Sequence, residues 1–143
     1  MALFAKDCKS TVIPALRYHN ALAAIDWLCA AFGFEKGAVY SGPDGIVHHA
    51  TLTFGNGMIM LSSAETSSDY SKLIVQPKAT GLANTQSPCL IVSDCDAVYA
   101  TAKHAGAEMV LDIEDKDYGG RGFTCRDPEG HLWNVGSYDP WAV

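Results

Sequence analysis

Five histidines and five cysteines give this 143-residue chain its widest chemical reach. Imidazole titrates near neutrality and serves as general acid, general base or metal ligand. His48 and His49 are adjacent, and neighbours on a strand point to opposite faces, so the two do not converge on one ion. His131 stands in a later segment, and His19 and His104 read as surface residues. No His-x-His or His-x-x-Glu spacing gathers them, so the histidines predict no metal centre. The cysteines are Cys8, Cys29, Cys89, Cys95 and Cys125. An odd number without Cys-x-x-Cys indicates neither a disulfide framework nor a zinc knuckle. Cys95 falls at a helix start, where the dipole lowers a thiol's pKa, but Asp94 and Asp96 push it back up. The thiols therefore read as small buried hydrophobes.

Tyr118 and Arg121 flank Gly119-Gly120. Arg121 has the donor fork to grip a carboxylate or phosphate. The competing reading is an ion pair with Asp115 or Asp117. The chain has no Gly-x-Ser-x-Gly elbow, phosphate-binding glycine loop or dinucleotide fingerprint.

The formal charge of −6, with no run of Lys or Arg, argues against a nucleic-acid partner. No apolar stretch reaches the ~18 residues that span a bilayer. No signal peptide is read at Met1–Lys6, and a cytoplasmic location is expected.

Two copies of one pattern position these residues. Ile13-Pro-Ala-Leu-Arg-Tyr-His-Asn20 and Ser87-Pro-Cys-Leu-Ile-Val-Ser-Asp94 stand 74 residues apart, each followed by an alanine-rich helical stretch. The spacing predicts a strand over 11–18, a helix over 21–32 capped by Asn20 and stopped at Gly33, and a strand over 36–41. A hairpin over 48–54 and 58–62 turns at Gly55-Asn-Gly57. Residues 63–86 read as a polar connection. The second copy predicts a strand over 87–92, a helix over 95–105, a strand over 107–111 and an acidic loop. Strands over 121–126 and 131–137 follow, joined by Asp127-Pro-Glu-Gly130. The expected organisation is one domain over 1–143. It consists of module one at about 11–62, the connection 63–86 and module two at about 87–138, with any functional cleft between the modules.

That order, with Asp127-Pro-Glu-Gly-His-Leu-Trp133 in the last hairpin, resembles the vicinal oxygen chelate superfamily, also called the glyoxalase/bleomycin-resistance/dioxygenase superfamily. The resemblance runs from Val12 to Tyr138 and is most specific over Tyr118–Gly130. It implies an α+β fold of two βαβββ modules, each sheet curling around a cavity with its helix on the outer face, and a central cleft. Members include metal-dependent lyases, isomerases and dioxygenases, thiol transferases, and metal-free proteins that sequester drugs. The resemblance places metal ligands at Ile13, Ser87, Asn134 and either Met60 or Leu61. These are poor ligands for a hard or borderline divalent ion, so no metal and no cofactor are expected.

The register implied by the resemblance turns Ile13, Ala15 and Arg17 toward a cavity, with His49, Thr51, Thr53, Met58 and Met60. In module two it turns Ser87, Cys89, Ile91, Leu132, Asn134 and Gly136. The candidate ligand-binding set is Ile13, Ala15, His49, Thr51, Met58, Met60, Ser87, Cys89, Asn134, Tyr118 and Arg121. His49 is the weak catalytic candidate, as the cavity-facing group able to act as a base. Trp27 and Trp133 read as core, and Trp141 as a possible subunit contact. The favoured function is metal-independent binding of a small organic ligand by a homodimer, with resistance by sequestration as one form of it. The alternatives are a lyase-, isomerase- or dioxygenase-like enzyme with a non-standard site, and a structural or regulatory dimer whose core is filled.

Overall fold

The computed structural model describes residues 3–142. In chain order the elements are β1 (Ala15–Tyr18), α1 (Ala21–Phe32), β2 (Glu35–Ser41), β3 (Val47–Phe54) and β4 (Gly57–Ser63). After two short 3-10 turns, Tyr70–Leu73 and Pro77–Thr80, come β5 (Cys89–Ile91), α2 (Cys95–His104), β6 (Glu108–Asp115), β7 (Arg121–Arg126) and β8 (Leu132–Gly136). Two four-stranded sheets result, with the orders β1-β4-β3-β2 and β5-β8-β7-β6. In each, the first strand pairs parallel with the last and the other pairings are antiparallel. This is the α+β arrangement of two βαβββ modules. Among the described residues, no helix is long and apolar enough to cross a membrane.

The chain divides into two compact units. One holds the chain up to Cys29 and Gly33–Ile74; the other holds Ala30–Phe32 and the chain from Val75 onward.

Each helix starts where a side chain caps it. Asn20 Oδ1 accepts from Ala23 N at 3.1 Å, and Asp94 Oδ1 accepts from Ala97 N at 3.1 Å. Gly33 adopts φ 87°, a left-handed cap that ends α1, and its N–H donates to the Cys29 carbonyl. The face of α1 that is buried holds Ala21, Ala24, Ile25, Leu28 and Ala31, while Leu22 is 42% exposed.

The first strand is shorter than the alternation over 11–18 suggests. Pro14 has no N–H, so ladder pairing begins at Ala15, although the Pro14 carbonyl still accepts from Met60 N at 2.9 Å. Pro88 shortens β5 in the same way, and its carbonyl accepts from Asn134 N at 3.0 Å. The acidic stretch after residue 111 is not a loop up to Tyr118. Strand β6 runs on to Asp115, which pairs with Arg121, and Lys116 N donates to the Gly120 carbonyl to close the hairpin.

Alternation separates two faces in each sheet. On β4, Ile59, Leu61 and Ser63 are buried while Met58, Met60 and Ser62 are half-buried. On β8, Trp133 and Val135 are buried while Leu132 and Asn134 are half-buried. Trp133 is fully buried, and its ring lies 5.4 Å from that of Phe32 within the second unit. Its Nε1 donates to Asp127 Oδ2 at 3.0 Å, while Asp127 Oδ1 accepts from the N–H groups of Glu129 and His131. The Asp-Pro-Glu-Gly turn is thus tied to the core by its own carboxylate. Trp27 is half-buried, and Trp141 is 90% exposed.

Candidate functional site

One cavity lies within the first unit. It measures about 450 Å³ and opens between β1, β3 and β4 and the segment after β4. Ala15 and Arg17 reach it from β1, His48 and His49 from β3, and Met60 and Ser62 from β4. Pairing places Ala15, Met60 and Thr51 in one row across the sheet, with Arg17 and Ser62 one step along.

Both adjacent histidines border this cavity, against the expectation from simple alternation. The β2–β3 register shifts between Tyr40 and Ser41, which pair with His49 and Val47 and leave His48 as the extra residue of a bulge. A bulge breaks period two, and burial along β3 accordingly runs Val47, Ala50, Leu52. The His49 ring stacks on Tyr40 at 6.4 Å between centroids.

The fourth wall comes from Thr66, Ser68, Tyr70 and Ile74, in the segment expected to be a mere connection. Arg17 fastens it. Its guanidinium Nη1 donates to Ser62 Oγ at 3.2 Å, the Ser63 carbonyl at 3.1 Å and Thr66 Oγ1 at 3.0 Å. The Tyr70 ring centroid lies 5.3 Å from Arg17 Cζ. Ser71 Oγ donates to the Thr66 carbonyl at 2.6 Å, which folds the segment on itself.

Another cavity, about 300 Å³, lies within the other unit and is lined by Cys89, Tyr118, Thr124, Asn134, Lys116 and Tyr138 among others. Across its sheet Cys89, Asn134 and Thr124 form a row like that of Ala15, Met60 and Thr51. The rings of Tyr118 and Tyr138 meet edge-on at 4.7 Å. Cys89 is exposed as a residue, yet its sulfur is sheltered; burial pushes its pKa up, and a hydrogen bond with Tyr138 opposes this.

The candidate residues therefore separate. Ala15, His49 and Met60 line the first cavity; Cys89, Asn134 and Tyr118 line the second. Ile13 is half-buried just before β1 and lines neither, because pairing starts two residues later. Met58 and Thr51 are half-buried on their strands outside both linings, and a Cβ at Gly37 would come within 2.5 Å of Thr51 Oγ1, so β2 covers that side chain. Ser87 is exposed and hydrogen-bonds Asn134. Arg121 does not face a ligand space. It bridges Asp115 at 2.9 Å and Asp96 at 3.2 Å, and those carboxylates raise its pKa.

Two of the thiols, Cys95 and Cys125, are buried, whereas Cys8 is exposed, against the expectation of buried cysteines throughout. Burial pushes Cys125 up to about 12, with the nearby Asp127 charge adding to it. Cys95 is raised by burial and by Asp96, so its place at the start of α2 does not activate it.

A model of the Glyoxalase/Bleomycin resistance protein/Dioxygenase superfamily matches residues 13–135. The chain belongs to that superfamily. The uncharacterised proteins Mb0911c of Mycobacterium bovis and Rv0887c of Mycobacterium tuberculosis are each 33% identical to it over 129 residues. They cover 87% of this chain and 84% and 75% of their own. Among solved structures, TioX from Micromonospora sp. ML1 superposes with a TM-score of 0.69 at 30% identity, over 91% of this chain and 99% of TioX. The fosfomycin resistance protein FosX of Listeria monocytogenes shares the fold at 12% identity and a TM-score of 0.65, over 92% and 95%.

A borderline divalent ion takes thiolate, imidazole or carboxylate donors, and the chain offers none at the positions the resemblance marks. Ile13 has no donor atom, and Met60 brings a soft thioether. The Asn134 amide is engaged on both sides: its Oδ1 accepts from Thr124 Oγ1 at 2.8 Å, and its Nδ2 donates to Ser87 Oγ at 2.9 Å. This neutral set does not fit a divalent ion, whose charge it leaves uncompensated. Among the described residues, no group of three or more His, Cys, Asp or Glu is placed to hold a metal.

Proposed function

We propose that this superfamily member is a metal-independent small-molecule binding protein whose ligand occupies the module-one cavity. The observation that carries the reading is the lining of that 450 Å³ space. Ala15, Met60 and Ile74 supply apolar surface, and Arg17, His49, Ser62 and Thr66 supply a few convergent polar groups. That volume and mixture match what small organic ligands use. Met60 adds an adaptable surface. Sequestration of a toxic compound is the physiological form the reading takes, in the cytoplasm and as a homodimer.

Two measurements test it. Ligands from a broad screen of small aromatic acids and amides should raise the melting temperature equally with and without EDTA. Met60→Trp should abolish the shift while leaving the unliganded melting temperature nearly unchanged, because a void accepts a ring that a filled core does not. A clear fall in the variant's own melting temperature, with no ligand shifting the wild type, would favour the filled-core dimer. Light scattering should give a dimer mass at micromolar concentration; a monomer mass would reject that part.

A further inference from the structure

We propose that residues 64–74 form a lid over the module-one cavity, latched on Arg17 by Thr66 and Tyr70, and that its opening governs the passage of small organic molecules into and out of that space. This rests on the cavity being a ligand site. The walls of the cavity are held in unequal ways. Strands β1, β3 and β4 are paired in one sheet, and the row of Ala15, Met60 and Thr51 is backed by the buried Leu16, Ala50, Leu52, Ile59 and Leu61. The remaining wall, with Thr66, Tyr70 and Ile74, belongs to a stretch in which no residue from Ala64 to Ile74 is buried. Few buried apolar groups and exposed hydrogen bonds are what give a segment a low local opening free energy.

The stretch is closed on itself, so it moves as one body. Ser71 Oγ donates to the Thr66 carbonyl at 2.6 Å, Ser71 N to the Ser68 carbonyl at 3.2 Å, and Lys72 N to the Asp69 carbonyl at 3.3 Å. The chain is anchored where the stretch begins, by Ala64 N donating to the Tyr18 carbonyl at 2.8 Å, and beyond its end at the buried Pro77. Between those anchors the latch ties the lid to the sheet. Thr66 Oγ1 accepts from Arg17 Nη1 at 3.0 Å and from Nη2 at 3.2 Å, the Tyr70 ring lies over Cζ at 5.3 Å, and Glu65 hydrogen-bonds His19. Arg17 also donates to Ser62 Oγ and to the Ser63 carbonyl, which belong to β4 and not to the lid. Its guanidinium therefore stays oriented when the lid swings away, and reclosing loses little rotamer entropy. A molecule in the cavity meets Thr66, Tyr70 and Ile74 in the closed state alone, so it draws the lid shut.

Two rates measured on the same protein test this. In Met60→Cys, labelling at position 60 by N-phenylmaleimide, read by peptide mass so that Cys8 and Cys89 do not enter, reports how fast a ring-sized molecule reaches the cavity. Tryptic cleavage after Lys72 reports how often the lid opens. Adding Thr66→Val removes the latch oxygen and keeps the shape of the side chain. It should raise both rates by the same factor, ~10-fold, as for one hydrogen bond to a charged group, with the melting temperature nearly unchanged. Thr66→Ser keeps the oxygen and should show the unaltered rates. Tyr70→Ala, at an exposed ring, should speed the cleavage as well, so the test does not hang on one variant. Labelling at one rate with and without the Thr66 oxygen, or a change in only one of the two rates, would overturn the lid and leave the cavity reading standing. Labelling that awaits global unfolding in every variant would overturn both.

Discussion

Met60 and Asn134 occupy the same place in the two repeats. Each donates its backbone N–H to a proline carbonyl on the neighbouring parallel strand, Met60 to Pro14 at 2.9 Å and Asn134 to Pro88 at 3.0 Å. The shared bond fixes the alignment of the two hairpins at Met60 rather than Leu61, so the central position of each sheet holds one thioether and one neutral amide. Neither makes a site for a hard or borderline divalent ion.

The purified protein should therefore carry no stoichiometric zinc, nickel, iron or manganese. Elemental analysis checks this. A full equivalent of metal per chain, removable with loss of ligand binding, would contradict it.

The Asn134 amide joins Ser87 and Thr124, and its removal should be felt as stability rather than as metal affinity. Asn134→Ala leaves the Thr124 hydroxyl and Ser87 without this partner and should cost about 1 kcal/mol in chemical denaturation. A variant as stable as the wild type would show that water replaces the amide without loss.

Trp133→Phe removes the indole N–H that donates to the buried Asp127 at 3.0 Å. A carboxylate that loses a buried donor should destabilise the fold by about 1–3 kcal/mol, and the smaller ring adds a packing loss. The melting temperature should fall by several degrees. An unchanged value would mean that the turn at Asp127–Gly130 holds without the indole.

Alkaline stability should depend on Cys125. Its folded pKa, about 12, lies above the ordinary thiol value of 9.0 because burial disfavours the thiolate. A raised folded pKa means that the unfolded chain loses the proton first. The contribution is complete below pH 9 and is lost as the pH rises from there toward 12. Denaturation under reducing conditions should show stability falling through that window, and Cys125→Ala should flatten part of the fall. An identical slope in the variant would assign it elsewhere, for instance to Tyr138 or Cys95, which are also raised.

The repeat was the part of the molecule most legible in the sequence. Asn20 and Asp94 mark the starts of both helices because a capping oxygen must lie beside the first turn, and Gly55-Asn-Gly57 and Asp127-Pro-Glu-Gly130 mark both hairpins. Period two separates Met60 from Ile59 and Asn134 from Trp133. The candidate site was less legible where the structure departs from periodicity. The bulge at His48 breaks alternation, and no local pattern announces a register shift between Tyr40 and Ser41. Thr66 and Tyr70 sit in a segment with no period at all, and they reach the cavity through long-range hydrogen bonds and the ring contact with Arg17. Arg121 shows the opposite difficulty. Its residue type suits ligand binding, but the strand it opens lies beside Asp115, which takes its guanidinium.

The most direct measurement is a high-resolution crystal structure of EDTA-treated protein soaked with the strongest ligand from the melting-temperature screen, read together with anomalous scattering for transition metals. The account predicts the ligand in the module-one cavity against Ala15, Met60 and Ile74, and no anomalous peak beside Met60, Ser87 or Asn134. A cavity closed by its own side chains, or a ligand found bound through a metal ion at those positions, would contradict it.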